Sequence, residues 1–283
     1  MYNAGKLSWF SKSALAIGLL FLYIPIISLI IYSFNASRLV TVWGGFSTHW
    51  YSILLEDEQI LDAAWLSLKL AFASAASAAV LGTMAGFILA RFKRFKGRTL
   101  FAGMVTAPMV MPEVITGLSM LLLIIQIQQL LQNTSWHFER GMFTIWLGHT
   151  TLCMAYVTVL IRSRLIELDR SLEEAAMDLG AKPLKVFFVI TLPIIAPAIA
   201  SGFLLAITLS LDDLVIASFL SGPGSSTLPQ VIFSKIRMGL NPTINALATI
   251  IVLVVGILVV GANYLMMHSQ RKRDKEIAAA TKS

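Results

Sequence analysis

Three carboxylic acids lie inside long apolar stretches of this 283-residue chain. Glu113 follows Pro112 in the third apolar run, and Asp212 and Asp213 lie together after Ser210 in the fifth. An ionised carboxylate facing lipid costs about 2.5–3.5 kcal/mol on insertion scales, so we expect these side chains to face protein or water. Rings of acidic side chains attract cations within membranes. The pattern therefore predicts a pathway for a positively charged solute, with Ser210 beside it.

The depths of these acids are consistent with one shared level. At 1.5 Å per residue, Glu113 lies about 20 Å and Asp212 about 22 Å along their helices, which places them in the outer half of a membrane. Two other roles remain open. One is a helix cap where the fifth run ends early, for Asp213 above all, and the other is an ion pair with Lys69.

Catalytic chemistry has no support in the motifs. No His-Glu-x-x-His, Gly-x-Ser-x-Gly or Walker A sequence is present, so the chain is predicted not to be an enzyme. Asp212 and Asp213 do not form an aspartyl dyad, because neighbouring side chains on a helix diverge by about 100°. The single cysteine, Cys153, excludes a disulfide within one chain. The histidines show no metal-ligand spacing and are treated as structural: His49, His137, His149 and His268.

Composition indicates an all-α membrane protein. Hydrophobic residues make up 57% of the chain and charged residues 13%, and several apolar runs reach the roughly 20 residues that cross a bilayer. We predict a cytoplasmic N-terminus over 1–13, a transmembrane domain over 14–267 and a cytoplasmic tail over 268–283. The six predicted spans are 14–34, 64–90, 100–126, 142–163, 195–220 and 243–267. The prolines Pro108 and Pro112 should kink or open the third span.

The placement of basic residues sets the predicted orientation. Of the 22 lysines and arginines, 17 flank the spans on one side: near the N-terminus, over 91–98, over 162–185 and in the tail. Positive residues stay inside, so both termini are predicted to be cytoplasmic and the chain to lie in a bacterial inner membrane. The net charge of +7 does not indicate nucleic-acid binding, because no interleaved aromatic platform accompanies it.

The first outer loop, about 35–63, combines aromatic and acidic residues, with Trp50 and Tyr51 beside Glu56, Asp57 and Glu58. One interpretation is an interfacial aromatic belt followed by a solvated acidic turn. The other is an entry and docking surface, in which the faces of Trp50 and Tyr51 contribute cation–π contacts of about 0.5–2 kcal/mol.

A polar loop over 164–193, between the fourth and fifth spans, contains two short predicted helices. Ser171 and Glu174 have the spacing of a capping box. Gly180 suits the left-handed position that ends a helix, and Pro183 suits the first turn of the next. One small-residue apolar face is predicted, formed by Leu172, Ala175, Ala176 and Leu179. A helix of about 14 Å is marginal in water, so another surface must hold it.

This loop resembles the cytoplasmic signature loop of ABC importer permeases. The positions that match its spacing are Glu174, Ala175, Ala176, Gly180, Ile190, Leu192 and Pro193. The resemblance implies the type I importer permease fold, with a coupling helix that docks into a groove on an ATPase subunit. The residues that it assigns to this coupling are Glu173, Glu174, Ala175, Ala176, Asp178, Gly180, Leu192 and Pro193. An ordinary amphipathic connector on the membrane surface is the alternative.

Other stretches are similar to the permeases of polyamine importers, most of all to the second permease of putrescine systems. They are 107–119, 210–219, Gly222-Pro223, Leu228-Pro229 and 241–249. Relatives usually carry Asp where this chain has Glu113. The resemblance implies putrescine as the first candidate substrate, a second related permease, two copies of a cytosolic ATPase and a periplasmic polyamine-binding protein. ATP and Mg²⁺ would then be bound by the ATPase, and this chain would bind no cofactor.

Two other classes of transporter remain as alternatives. An importer permease of the same fold could carry another cationic solute, because the acids argue against anions without choosing among cations. A secondary cation transporter would tend to show inverted repeats, and no convincing internal repeat is found in this sequence.

Overall fold

The computed structural model describes residues 8–39, 42–92, 94–135, 137–239 and 242–257. Every regular element within these ranges is helical, apart from one isolated bridge between Asn35 and Phe46. The predicted all-α class is therefore confirmed. In chain order the helices are α1 (Trp9–Ser33), α2 (His49–Glu56), α3 (Glu58–Arg91), α4 (Arg98–Val110), α5 (Glu113–Leu131), α6 (Met142–Glu167), α7 (Ser171–Asp178), α8 (Pro183–Val186), α9 (Leu192–Asp212), α10 (Val215–Leu220), α11 (Leu228–Met238) and α12 (Pro242–Ile257).

Five helical segments of the described part are long and apolar enough to cross a membrane: α1, α3, α5, α6 and the continuous stretch Pro183–Asp212. They correspond to the first five predicted spans. The sixth is represented by the apolar helix α12, and its predicted remainder, 258–267, lies outside the described residues, as do residues 1–7 and the predicted tail with His268.

The chain divides into two compact units, one over Gln59–Phe233 and one formed by the flanks up to Glu58 and from Ser234. In the first unit, α6 is the central helix. Buried side chains of α6 pack with those of α3 and α9 in one cluster and with those of α3, α5 and α10 in another. Every functional residue discussed below belongs to this unit, apart from Trp50 and Tyr51.

Small residues let the helices of this unit approach closely. A Cβ added at Gly82 on α3 would lie 2.7 Å from Val157 Cβ on α6, and one added at Gly148 would lie 2.4 Å from Leu220 Cδ1 on α10. Close backbone approach through small residues is the usual way in which membrane helices gain packing energy, because lipid offers no hydrophobic driving force between them.

Two predicted spans are interrupted. The third breaks at Met111 and Pro112, between α4 and α5, as the two prolines led us to expect. The fifth, which we predicted as continuous over 195–220, ends at Asp212, and the chain resumes as α10 after two non-helical residues. The cap that ends this helix is described below, and it is the early ending that we had weighed as an alternative.

A wider turn precedes α9, where Phe187–Thr191 form a π-helical turn and Leu192 N–H bonds to Phe187 O. Pro193 explains this turn. In a regular α-helix its ring would clash with the carbonyl four residues earlier, and a turn with five-residue hydrogen bonds accommodates such a mismatch.

In the flanking unit, buried Asn35 organises the outer loop. Its side chain donates to Val42 O over 2.8 Å and accepts from Gly44 N–H over 2.7 Å. Lys235 on α11 donates to Asp57 Oδ2 over 2.6 Å, which gives Lys235 an internal partner that the sequence did not predict.

Candidate functional site

Helix α7 ends as predicted at Gly180, whose φ of +86° is the left-handed conformation that favours glycine. Gly180 N–H bonds to Met177 O over 2.9 Å and Ala181 N–H bonds to Ala176 O over 3.1 Å, which together form a Schellman motif. Pro183 then occupies the first turn of α8, also as predicted.

The predicted capping box at the start of α7 was wrong. Ser171 is the first helical residue, and no side-chain bond caps the helix at the preceding Arg170. Instead, Asp169 Oδ1 accepts the Ser171 backbone N–H over 3.0 Å. This bond, followed by one from the Ser171 hydroxyl, holds the pKa of the exposed Asp169 carboxyl below its ordinary value.

The apolar side chains of α7 and the turn after it are exposed in the isolated chain. Leu172 is 50% exposed, Leu179 is 89% exposed and Leu184, on α8, is 74% exposed. Of the other predicted coupling residues, Glu174, Ala175, Asp178, Gly180 and Pro193 are exposed, whereas Ala176 and Leu192 are half-buried. Exposed apolar side chains at α7 are consistent with the predicted contact with an ATPase, which stays a prediction.

Glu173 differs from its neighbours because it points inward and is only 9% exposed. Its Oε1 accepts from Arg91 Nη2 over 2.8 Å, from Arg91 Nε over 3.2 Å and from Thr191 Oγ1 over 2.8 Å. Arg91 Nη1 also donates to Leu165 O over 2.9 Å. The predicted contact of Glu173 with an ATPase stays a prediction, and the structure gives this side chain an internal role.

The acids of the broken fifth span are in contrasting environments. Asp213 is buried, and its carboxylate accepts the backbone N–H of Ile216 over 3.2 Å and that of Ala217 over 2.7 Å. These bonds cap α10, which is the helix-cap role weighed above. Asp212, the last residue of α9, is exposed.

One imidazole joins both sides of the break to α6. His149 Nε2 lies 3.1 Å from Asp213 Oδ2, and His149 Nδ1 lies 2.7 Å from Ser210 Oγ. Because an ionised carboxylate only accepts, Nε2 is the donor to Asp213. Ser210 and His149 are both buried, so the predicted pathway residue Ser210 is occupied by this internal contact.

Glu113 begins α5 directly after the break in the third span, and its side chain is exposed. Lys69, considered above as an ion-pair partner of the acids, lies over the ring of Trp65 with its Nζ 5.0 Å from the ring centroid. Asp213 pairs with His149 instead. The contact of Glu113, Asp212 and Asp213 with a substrate stays a prediction.

Both predicted aromatic residues of the outer loop make internal contacts. Trp50 is buried, and its indole N–H donates to Asn35 O over 2.6 Å. The hydroxyl of half-buried Tyr51 lies 2.6 Å from Ser33 Oγ, and its ring contacts that of Phe34 with centroids 5.3 Å apart and planes tilted by 37°. These contacts hold the loop together, and a role in cation entry stays a prediction.

Only part of these contacts could have been expected from local patterns in the sequence. His149 lies four residues from Ile145 and four from Cys153, both buried, so helical periodicity alone places it inward. The partners Arg91 and Glu173 are 82 residues apart, and no local pattern connects them. No group of His, Cys, Asp and Glu among the described residues could hold a metal ion.

Comparison with known proteins agrees with these features. Residues 82–275 match the family described as binding-protein-dependent transport system inner membrane component. The chain is 59% identical over 266 residues to the putrescine transport system permease protein PotI of Escherichia coli (strain K12), with 94% of each chain covered. It is 38% identical over 252 residues to the spermidine/putrescine transport system permease protein PotC of the same strain, with 89% of this chain and 91% of that one covered.

A solved structure gives the same fold at low identity. The crystal structure of a bacterial ABC transporter involved in the import of the acidic polysaccharide alginate superposes with a TM-score of 0.72 at 18% identity, and covers 90% of this chain and 95% of that chain. Its likeness concerns the fold alone.

The apolar helices and this superposition show that the chain has the fold of type I ABC importer permeases. The chain belongs to the family of binding-protein-dependent transport system inner membrane components. The predicted family and the prediction that the chain is a permease rather than an enzyme are confirmed.

Proposed function

We propose that this chain is one of two related permease subunits of an ATP-driven polyamine importer, with putrescine as its first candidate substrate. Two copies of a cytosolic ATPase would bind ATP and Mg²⁺, and a periplasmic binding protein would deliver the polyamine. Both termini and α7 lie on the cytoplasmic side in this proposal, as the distribution of lysine and arginine predicts.

The observation that carries the substrate proposal is the 59% identity to a putrescine permease over 94% of both chains. The acids are consistent with it, because Glu113 and Asp212 are exposed at the breaks of two spans and could attract protonated amines. Weak attraction suits transport, since the solute must also leave. High affinity would belong to the binding protein.

The exposed apolar side chains of α7 and of the turn after it support the ATPase contact. Leu172 and Leu179 are 50% and 89% exposed in a segment that the proposal places in the cytosol, and a groove on the ATPase would cover them. In the proposed cycle, ATP-driven closure of the ATPases moves α7, and the spans change from an inward-facing to an outward-facing arrangement. The binding protein then releases its polyamine into the open path.

Uptake into proteoliposomes tests the proposal. The complete complex, with its partner permease, ATPase and binding protein, should accumulate labelled putrescine only when ATP is enclosed with the ATPase. Unlabelled diamines of different length then compete, and their ranking identifies the preferred amine. Absence of ATP-dependent uptake of putrescine and spermidine would contradict the polyamine assignment.

The same assay separates the alternatives. Uptake of a different cation, with putrescine failing to compete, would favour an importer for another cationic solute. Uptake that persists without ATP and follows an ion gradient would favour a secondary transporter. Within a working complex, Asp212→Asn and Glu113→Gln should both lower uptake at unchanged abundance, and wild-type uptake from both variants would remove these acids from the pathway.

A further inference from the structure

The inward side of α7 is attached to the membrane helices by a buried polar group that we call the Glu173 joint, formed by Arg91, Glu173 and Thr191. Counting side-chain atoms alone, Arg91 is 9% exposed and Glu173 is 12% exposed, so both side chains are largely shielded from water. Oε1 of Glu173 accepts hydrogen bonds from both partners. The three bonds that connect Glu173 to Arg91 and Thr191 all end on this atom.

This joint connects four elements at one point. Arg91 is the last residue of α3, and its guanidinium also donates to Leu165 O near the end of α6. Thr191 is the last residue of the π-helical turn that leads into α9. Arg170, directly before α7, donates to Arg91 O over 3.1 Å. A displacement of α7 must therefore move or break bonds to α3 and to the turn that leads into α9, and Arg91 connects the same point to α6.

The joint lies beside open space. A crevice of about 300 Å³ lies next to α7 and is lined by Phe87, Arg91, Glu173, Met177, Phe187 and Thr191, among others. Phe87 on α3 and Phe187 in the π-helical turn meet edge to face, with ring centroids 4.9 Å apart. The polar bonds of the joint therefore lie next to a ring contact between α3 and the turn that leads into α9.

We propose that the Glu173 joint transmits the movement of α7 to the membrane helices, and that Glu173, Arg91 and Thr191 are positioning residues for transport. This inference rests on the proposed function, in which an ATPase moves α7. In this proposal the exposed side chains of α7 contact the partner, and Glu173 holds the helix to its own chain. Covalent connection through the loops alone would then be insufficient for tight coupling.

Two hydroxyl deletions test the joint with little change in volume. Thr191→Val removes the donor to Glu173, whereas the control Thr208→Val, in the following helix α9, removes an exposed hydroxyl that bonds to Leu204 O within that helix. Thr191→Ser keeps the donor and serves as the conservative variant. Glu173→Gln keeps the shape of the side chain but leaves the charge of Arg91 without its partner.

The measurement is the amount of polyamine taken up per ATP hydrolysed by the reconstituted complex, together with membrane abundance and co-purification of the ATPase. We expect Thr191→Val and Glu173→Gln to lower this ratio roughly two- to thirtyfold, the range seen for residues along coupling networks. Thr208→Val and Thr191→Ser should retain it. Combining Thr191→Val with Glu173→Gln should add little beyond Glu173→Gln alone, because both act on one joint.

Each other outcome contradicts the proposal. A wild-type ratio in both Thr191→Val and Glu173→Gln would show that the joint is not needed for transmission. A fall of uptake, ATP hydrolysis and abundance in equal proportion would show a merely structural role. Failure of the proposed function is distinguishable, because the unmodified complex would then show no ATP-dependent polyamine uptake in the same assay.

Discussion

Asp212 and Asp213 are consecutive residues with separate physical roles. Asp213 accepts three hydrogen bonds from buried donors, those of His149, Ile216 and Ala217, so its carboxyl oxygens have partners inside the protein. Asp212 is exposed and is the last residue of α9. At the residue scale, Asp213 stabilises the broken span, whereas any attraction of a solute falls to the exposed Asp212.

Replacing each acid by alanine should separate these roles. Asp213→Ala leaves its buried donors unsatisfied, and a buried unsatisfied group costs about 1–3 kcal/mol, so we expect the complex to lose at least about 2 kcal/mol of stability. Asp212→Ala is the matched control and should keep the wild-type melting temperature of the purified complex. Equal melting temperatures for the two variants would contradict the cap assignment.

Short helical elements in this chain have their ends fixed by single residues. Gly180 ends α7, Asp213 caps α10 and Pro193 accounts for the π-helical turn before α9. Each of these elements is too short to be stable alone in water, so its boundaries depend on the residue that satisfies or removes a backbone group. At this scale, the end of α7 is set by its C-terminal cap more than by helix propensity.

Gly180→Ala should therefore weaken the coupling of ATP hydrolysis to transport. Its φ of +86° costs an L-residue roughly 1–2 kcal/mol, and because an added Cβ would meet nothing within 4 Å the whole penalty is backbone strain. Binding-protein-stimulated ATP hydrolysis should fall while basal hydrolysis and assembly remain measurable. Gly103→Ala on α4 is the matched control, since a Cβ there also meets nothing within 4 Å and its φ is not positive. Equal stimulation in both variants would contradict the prediction.

The chain as a whole has its lysines and arginines concentrated in the segments that the proposed topology places in the cytoplasm. The turn after α3 and the loop that carries α7 both belong to this group, whereas the loop after α5 belongs to the opposite side. The proposal thus assigns a role to each face of the membrane, with ATPase docking inside and solute entry outside. This topology can be tested directly because Cys153 is the sole cysteine and is buried.

Cysteines introduced into a Cys153→Ser background should report the orientation. A membrane-impermeant maleimide should label Ser135→Cys in intact spheroplasts and Lys96→Cys only after the membrane is opened, because both positions are exposed on opposite faces. The Cys153→Ser parent should remain unlabelled. Labelling of Lys96→Cys before the membrane is opened would invert the proposed topology.

Patterns local to the sequence were sufficient for much of the fold. Apolar runs predicted the spans, Pro112 predicted the break between α4 and α5, and Gly180 with Pro183 predicted the boundaries of α7 and α8. These features follow from hydrophobicity and from backbone geometry, which act within a few residues. The start of α7 was predicted wrongly because the side chains of Glu174 and Asp169 compete for the backbone N–H of Ser171, and spacing alone does not decide between them.

The sequence by itself determined that this chain is a helical membrane permease, because hydrophobic length and the signature spacing are properties of consecutive residues. The cytoplasmic side of its loop and the coupling role of that loop stay predictions. Only the tertiary structure decided which polar residues face inward. Glu173 and Glu174 are indistinguishable as neighbours, yet one bonds to Arg91 across 82 residues and the other is exposed. The direction of a side chain depends on distant helices that pack against it, and that packing is a property of the folded chain.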